Sequence, residues 1–256
     1  MATSRKEHLA TVLMHSSEST SDAMAVHSSF PTTQWTTLLD PIKGRGQGFD
    51  CALNQLCRFY RPPIVAFIRG WGYDPNTAED LAHDFIARLL RLDELTKVDR
   101  TKGRFRSFVC ASLRHFLHNY NKAKHAWKRG GRAEHISLEG LAVDPPSPTN
   151  AETEFNHCWA QSVADEGLRR LSAEWADRGK SIEFADYQDF IFAKKIGVER
   201  SQLAAKHSTT VGGVDVTIHR LRKRYAAHVR DLIAATVSSP AEVQEELRHL
   251  LAHINR

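Results

Sequence analysis

LAAKHSTTVGGVDVTIHRLRKRY, residues 203–225, is the stretch that decides the fold of this chain. The apolar positions of SQLAAKH (201–207) predict a short helix, and the residues from Val211 to Val237 predict a long one. The few residues between them, rich in Ser and Thr, are typical of a turn. A short helix, a turn and a long helix in this order predict a helix-turn-helix element.

The second of these helices is basic. It carries HRLRKRY, residues 219–225. In a helix-turn-helix the first residues of the second helix contact base edges in the major groove, whereas basic residues further along contact phosphates. The stretch therefore predicts a DNA-binding element.

Amphipathic helices are also predicted on both sides of this element. Apolar residues recur at spacings of three and four in residues 50–69, 74–96 and 105–127, and again in the closing segment 240–255. Asp74 and Pro75 are cap and first-turn signals, whereas Pro62 and Pro63 predict a kink or a restart. The pattern contains no strand of useful length and no internal repeat. We therefore expect an all-α protein.

The domain organisation follows from changes in composition along the chain. We expect two small helical domains joined by a flexible linker, the second containing the helix-turn-helix. The predicted segments are a disordered tail over 1–29, a first domain over 30–131, a Pro-rich linker over 132–152, a second domain over 153–237 and a C-terminal helical extension over 238–256.

A second basic region lies in the first domain. Residues 100–132 contain ten Lys and Arg residues and no Asp or Glu, and aromatic residues are interleaved with them. A basic groove supplied with rings is typical of single-stranded nucleic-acid binding, because cations contact the phosphates and rings stack on unpaired bases. A solvated basic helix face is the alternative reading of the same charges.

The overall composition excludes several classes of protein. The chain has 256 residues and a formal charge of +5, and no apolar run approaches the ~20 residues of a transmembrane span. Because the N-terminal apolar stretch is too short for a secretory signal, we expect a cytoplasmic protein. The four cysteines form no Cys-x-x-Cys pair and are expected to be buried reduced thiols.

No enzyme motif is present. The sequence lacks a Gly-rich phosphate loop, His-Glu-x-x-His and G-x-S-x-G. Asp80, His83 and Asp84 share a helix face, but nothing supplies the remaining ligands of a metal site. We therefore expect a non-enzymatic protein with no catalytic residue, no cofactor and no metal.

Three motifs together resemble a known family. AEDLAHDFIARLL (78–90), FRSFVCASLRHFL (105–117) and the stretch 203–225 follow each other in the order found in the bacterial RNA polymerase sigma-70 family. The likeness covers about residues 30–237 and is to the small, two-domain extracytoplasmic-function type. The resemblance implies a subunit that binds core polymerase, recognises promoter DNA and promotes strand opening. Its implied partners are the β′ clamp and β flap of core RNA polymerase and promoter DNA, with an anti-sigma protein as a further candidate and no membrane.

The resemblance also implies roles for individual residues. The implied clamp-binding residues are the acidic contacts Asp80 and Asp84, their packed partners Leu81 and Phe85, and Arg88. Minus-ten reading and melting are implied for Arg106, Phe108, Arg114, His115, Asn119, Lys122, Lys124, Trp127, Lys128 and Arg129. Helix-turn-helix DNA contacts are implied for Thr210, Gly212, Gly213, Asp215, Val216, His219, Arg220, Arg222, Lys223 and Arg224.

Several positions depart from the family pattern. His83 replaces a Gln, Phe108 replaces a Trp, and His115 stands where an Asn is frequent beside the pocket for a flipped base. The turn lacks its usual glycine, and Asp215 occupies a place that is usually basic. An Asp near a phosphate is repelled, whereas an Asp at a base edge can accept a hydrogen bond from cytosine N4. We therefore expect the docking geometry to be kept and the sequence reading to be unusual or weak.

Two other functions remain open on the sequence alone. A helix-turn-helix regulator acting without polymerase would account for HRLRKRY, and an RNA-binding adaptor would account for residues 100–132. The C-terminal helix is expected to pack on the second domain, with binding of a regulator as the alternative. Dependence on core polymerase separates these functions, whereas salt dependence does not, since all three would release counterions.

Overall fold

A computed structural model of the chain describes residues 49–91, 104–130, 148–192, 198–237 and 239–254. The regular elements in these ranges are α-helices, and no strand occurs among them, which confirms the all-α prediction. The predicted tail and most of the predicted linker lie outside the described residues. None of the described helices is long and apolar enough to cross a membrane.

The helices are numbered here in chain order. They are α1 (Phe49–Gly70), α2 (Pro75–Arg91), α3 (Phe105–Gly130), α4 (Pro148–Asp177), α5 (Ser181–Tyr187), α6 (Asp189–Phe192), α7 (Val198–Lys206), α8 (Val211–Ala234) and α9 (Pro240–His253).

The described residues divide into two compact units. The first, called the N-terminal unit, comprises 49–91, 104–130, 148–159 and 236–237. The second, called the C-terminal unit, comprises 160–192, 198–235 and 239–254. Helix α4 contributes its first residues to one unit and the rest to the other.

The core of the N-terminal unit is formed by the apolar faces of its helices. Phe67 and Ile68 of α1 and Leu113 of α3 are each fully buried. Helix α1 is continuous across Pro62 and Pro63, so the predicted restart does not occur. Prolines remove backbone donors, but the buried residues that follow them hold this part of the helix in place. Asp74 caps α2 as predicted, since its Oδ1 accepts from the Asn76 and Thr77 backbone N–H groups at 3.1 Å each.

Helix α4 begins earlier than the sequence predicts. Residues 148–152 were expected to belong to the linker, but they form its first turn. Pro148 suits the first position of a helix, because its missing N–H would have no partner there. Ala151, Phe155 and Trp159 then repeat every four residues and are buried in the N-terminal unit. This burial explains why the helix extends into a Pro-rich segment.

The C-terminal unit is organised around α8. Ile218, Leu221 and Tyr225 of this helix are buried, and both α7 and α9 pack against it. Ser239 and Glu242 form a capping box that starts α9, and Leu247 and Leu250 are buried. The C-terminal helix is therefore a packing helix of this unit, as expected.

No disulfide joins the described cysteines. Cys110 of α3 is buried, whereas Cys57 and Cys158 are half-buried. Burial raises the pKa of the Cys110 thiol to about 12, although Arg106 and Arg114 act in the opposite direction. Cys110 therefore stays protonated at neutral pH.

Candidate nucleic-acid interface

The outward face of α2 carries exposed acidic groups. Asp80, His83 and Asp84 are exposed on neighbouring turns. Neither Asp80 nor Asp84 forms an ion pair or a side-chain hydrogen bond with another residue of the described ranges. Glu79 differs, because it pairs with Arg61 of α1 at 2.6 Å. Two carboxylates are thus available to a basic partner surface.

Two predicted polymerase contacts are not on this face. Leu81 and Phe85 are each only 3% exposed and belong to the core of the N-terminal unit. The main role of both residues is therefore to hold α2 in place.

A pocket of about 310 Å³ lies between α2 and α3. Its edge-to-face pair, Phe85 and Phe116, has ring centroids 5.5 Å apart. The lining residues are Phe85, Arg88, Leu89, Ser112, His115, Phe116 and Asn119. The predicted residues Arg88, His115 and Asn119 are therefore brought together, although the resemblance implies different partners for them. Rings beside groups that can donate and accept hydrogen bonds suit a flat, polar-edged molecule such as a nucleobase.

Two arginines predicted to contact promoter DNA are engaged inside the N-terminal unit. Arg106 is 8% exposed, and its Nη1 donates to Asn156 Oδ1 at 2.7 Å. Its guanidinium also lies 5.3 Å from the centroid of the Trp159 ring. Arg114 forms an ion pair with Glu152. The first turns of α4 thus occupy both cations, which the sequence reading missed because it placed this segment in the linker and the next domain.

The other predicted residues of α3 differ in exposure. Phe108 is half-buried and stacks on Phe105 at 6.1 Å between ring centroids. Lys122 and Lys124 are exposed, as a phosphate contact requires. Trp127, Lys128 and Arg129 lie on α3, but their side chains are outside the described part of the chain.

The turn between α7 and α8 is closed by local hydrogen bonds. Thr210 caps α8, and its hydroxyl accepts from the Gly213 N–H at 3.1 Å. A Cβ at Gly213 would overlap with the Thr209 hydroxyl, so the Thr209 side chain would have to move. Ser208 has a φ of 50°, the left-handed conformation that glycine adopts most readily. His207 contacts Asp186 at 3.0 Å, so this half-buried polar ring has a partner.

Helix α8 presents an exposed stripe at helical spacing. Its members are Gly212, Asp215, Val216, His219, Arg220 and Lys223. Arg220 and Lys223 form no ion pair with another described residue. Asp215 is paired with Arg200 of α7, at 2.9 Å between Oδ1 and Nη1. Six of the predicted helix-turn-helix contacts therefore share one accessible face.

Two predicted DNA contacts on α8 are engaged by other residues of the C-terminal unit. Arg222 donates to the backbone carbonyls of Phe190 and Ile191, at 2.8 and 3.1 Å, and its burial lowers its pKa. Arg224 pairs with Glu174 of α4 at 2.6 Å, although its side chain is 53% exposed. Arg222 is a structural residue, whereas Arg224 lies beside the exposed stripe and is held by an ion pair.

Glu174 also accepts from His228 and Arg178, at 3.1 and 2.7 Å. Burial alone would raise the pKa of Glu174, but the hydrogen bonds from Arg224 and His228 bring it below its ordinary value. The carboxylate is therefore ionised in the folded protein at neutral pH.

Some residues of these surfaces were missed by sequence reasoning. Ser112 and Phe116 of the pocket lie on the same helix face as His115 and Asn119, so helical periodicity could have found them. Arg200 lies on a different helix from Asp215, and only the folded structure reveals the pair. No cluster of metal-ligating side chains occurs within the part of the chain that the structure describes.

No protein-family model, no curated protein and no solved structure matches the chain. The functional interpretation therefore depends on the residues and the geometry described above.

Proposed function

We propose that the protein is an RNA polymerase sigma factor of the extracytoplasmic-function type, which binds core polymerase, recognises promoter DNA and promotes strand opening. The observation that carries this proposal is the pocket between α2 and α3. A protein that only reads duplex DNA needs no site for an unpaired base, whereas a protein that opens the duplex does.

The chemistry of the pocket supports this role. Extruding a base costs a few kcal/mol of stacking and pairing. Base–aromatic stacking returns about 1–3 kcal/mol per base, and the polar groups of His115 and Asn119 can recognise its edge. Lys122, exposed on α3 three residues after Asn119, is available to a phosphate.

Two further surfaces support the proposal. The carboxylates of Asp80 and Asp84, exposed and without a partner among the described residues, suit a basic surface of core polymerase. The exposed stripe of α8 suits the major groove, with α7, the turn and α8 acting as a helix-turn-helix. The engagement of Arg106 and Arg114 by α4 speaks against an RNA-binding adaptor built on residues 100–132. A regulator acting without polymerase would use the α8 stripe alone.

Co-purification of the tagged chain with core RNA polymerase, followed by run-off transcription on fragmented genomic DNA, tests the proposal. We expect binding and discrete transcription starts. Asp80→Arg with Asp84→Arg should abolish core binding, whereas Asp165→Arg with Asp177→Arg, which reverses two exposed charges on α4, should not. Retained binding of duplex DNA without core binding would favour the regulator.

The pocket has its own test. His115→Ala with Asn119→Ala should leave core binding intact and reduce strand opening, measured as permanganate reactivity of thymines around the transcription start. Equal strand opening by this variant and the unaltered protein would show that the pocket does not act in strand opening, and the proposal would lose its main support.

A further inference from the structure

The Arg200–Asp215 ion pair places an acidic group on the exposed stripe of α8. Asp215 Oδ1 lies 2.9 Å from Arg200 Nη1, and the side chains are 48% and 24% exposed, respectively. Both flanking stripe residues, Gly212 and Val216, are exposed as well. The carboxylate therefore lies in the middle of an accessible helix face and is not covered by its partner.

A carboxylate on a face that contacts DNA is unfavourable unless another interaction offsets its charge. Duplex DNA carries one negative charge per about 1.7 Å of its axis, so an isolated Asp is repelled. Arg200 offsets that charge and fixes the carboxylate through one oxygen. Asp215 forms no other hydrogen bond or ion pair within the described ranges, although it interacts electrostatically with Arg222, so its second oxygen remains available as an acceptor.

Resting on the proposed function, we propose that Asp215 is a base-reading residue that accepts a hydrogen bond from cytosine N4 in the major groove, with Arg200 as its positioning residue. A carboxylate can only accept, so it is repelled by guanine O6 and N7 and by thymine O4. Cytosine presents the N4 donor with no acceptor of its own beside it, whereas adenine presents N7 next to its donor. Cytosine is therefore the favoured base.

The neighbouring residues permit close approach to the groove. A Cβ at Gly212 would meet only the Thr210 hydroxyl, at 3.8 Å, so there is open space beside this residue. Val216 is 51% exposed, although it is apolar. An apolar side chain at this place can pack on a thymine methyl group, so we expect a thymine close to the cytosine read by Asp215.

Sequencing of bound DNA from a randomised duplex library tests this inference, both with the chain alone and with the chain plus core polymerase. The unaltered protein should select a cytosine at one position. Asp215→Asn and Asp215→Ala should lower that preference about fivefold or more, the lower end of what one base contact contributes. An unchanged preference, or selection of another base at that position, would overturn the assignment.

Two further variants separate base reading from a merely structural ion pair. Arg200→Met should weaken binding to all sequences and broaden the preference, because the carboxylate is then neither neutralised nor oriented. Lys223→Ala is the matched control, since loss of a phosphate contact should weaken binding uniformly and leave the cytosine preference unchanged. If Asp215→Asn lowers the melting temperature but keeps the preference, the pair is structural and the inference is wrong.

The outcome also distinguishes this inference from the proposed function. Absence of core binding, with a cytosine preference that depends on Asp215, would contradict the sigma-factor role and support the base-reading role. Core binding with promoter-dependent transcription, but no effect of Asp215→Asn on base preference, would support the sigma-factor role and contradict the base-reading role.

Discussion

Two arginines two residues apart on α8 have different surroundings. Arg220 is exposed and without a partner in the described ranges, whereas Arg222 donates two hydrogen bonds to backbone carbonyls at the end of α6. A helix turns about 100° per residue, so Arg220 and Arg222 lie on different faces of α8. Charge alone does not reveal which arginine faces solvent and which holds the fold.

We expect opposite effects from these two arginines. Arg222→Ala should lower the free energy of unfolding by about 2 kcal/mol, because hydrogen bonds from a charged donor contribute about 1.5–3 kcal/mol and their loss leaves carbonyls unsatisfied. Arg220→Ala should change stability by less than about 0.5 kcal/mol but weaken DNA binding. Urea unfolding and a DNA-binding titration of both variants check this, and equal loss of stability would contradict it.

The turn before α8 contains a strained residue. Ser208 has a φ of 50°, which costs a residue with a side chain roughly 1–2 kcal/mol. Ser208→Gly should therefore stabilise the protein by about 1 kcal/mol and raise its melting temperature. Thr209→Gly is the control, because Thr209 does not have a positive φ and gains nothing from glycine. A stabilisation shared by both variants would show that strain at Ser208 is not the cause.

At the scale of elements, sequence periodicity predicts the helices well and their neighbours poorly. The apolar spacing of α1, α2, α3 and α8 indicates both the helices and their buried faces, because burial of one face repeats at 3.6 residues. The start of α4 was missed, since Pro145, Pro146 and Pro148 suggest a linker. Burial of Phe155 and Trp159 depends on tertiary contacts, which a local pattern does not contain.

The same limit applies to the candidate site. The exposed stripe of α8 follows from helical spacing, and six of its predicted residues share that face. Arg106 was predicted to bind DNA because it is basic and lies among rings, but Asn156 and Trp159 engage it. Which cations are occupied by the protein itself depends on residues that are distant in sequence.

Helices α4 and α8 are connected through Glu174, and this predicts a pH dependence. The pKa of Glu174 lies below its ordinary value of 4.5 in the folded protein, so the ion pairs contribute stability above that pH. The contribution should be lost as the pH falls through the folded pKa, because protonation removes the charge that Arg224 and His228 contact. Glu174→Gln should lack this part of the pH dependence.

Urea midpoints above and below pH 4.5 check this expectation. The unaltered protein should lose more stability on acidification than Glu174→Gln does. Glu154→Gln is the control, because Glu154 is exposed. Parallel pH curves for the unaltered protein and Glu174→Gln would show that this cluster does not contribute.

At the scale of the whole molecule, two compact units share the helix α4. Phe155 belongs to the N-terminal unit, where its ring lies edge-to-face with Phe67 at 6.3 Å between centroids. Ala151 packs closely on Gly70. A Cβ at Gly70 would lie only 2.8 Å from the Ala151 Cα. The N-terminal unit therefore depends on a segment that is far from its other helices in sequence.

Phe155→Ala should destabilise the N-terminal unit by about 3–5 kcal/mol, since it removes a fully buried ring. Amide hydrogen exchange should accelerate in α1 and α3 far more than in α8, because α8 belongs to the other unit. Ile218→Ala should show the converse pattern. Equal acceleration in all helices after either substitution would show that the two units unfold as one.

Because Cys110 is buried, the rate at which it is alkylated measures how often α3 opens. Its thiol has a pKa raised to about 12, and alkylating reagents attack the thiolate. Iodoacetamide should therefore label Cys110 only in molecules in which α3 has locally unfolded. The half-buried Cys57 and Cys158 should react sooner. The rate of Cys110 labelling, measured by mass spectrometry, therefore reports how often α3, which lines the pocket, opens. A bound partner that holds α3 closed should slow that rate.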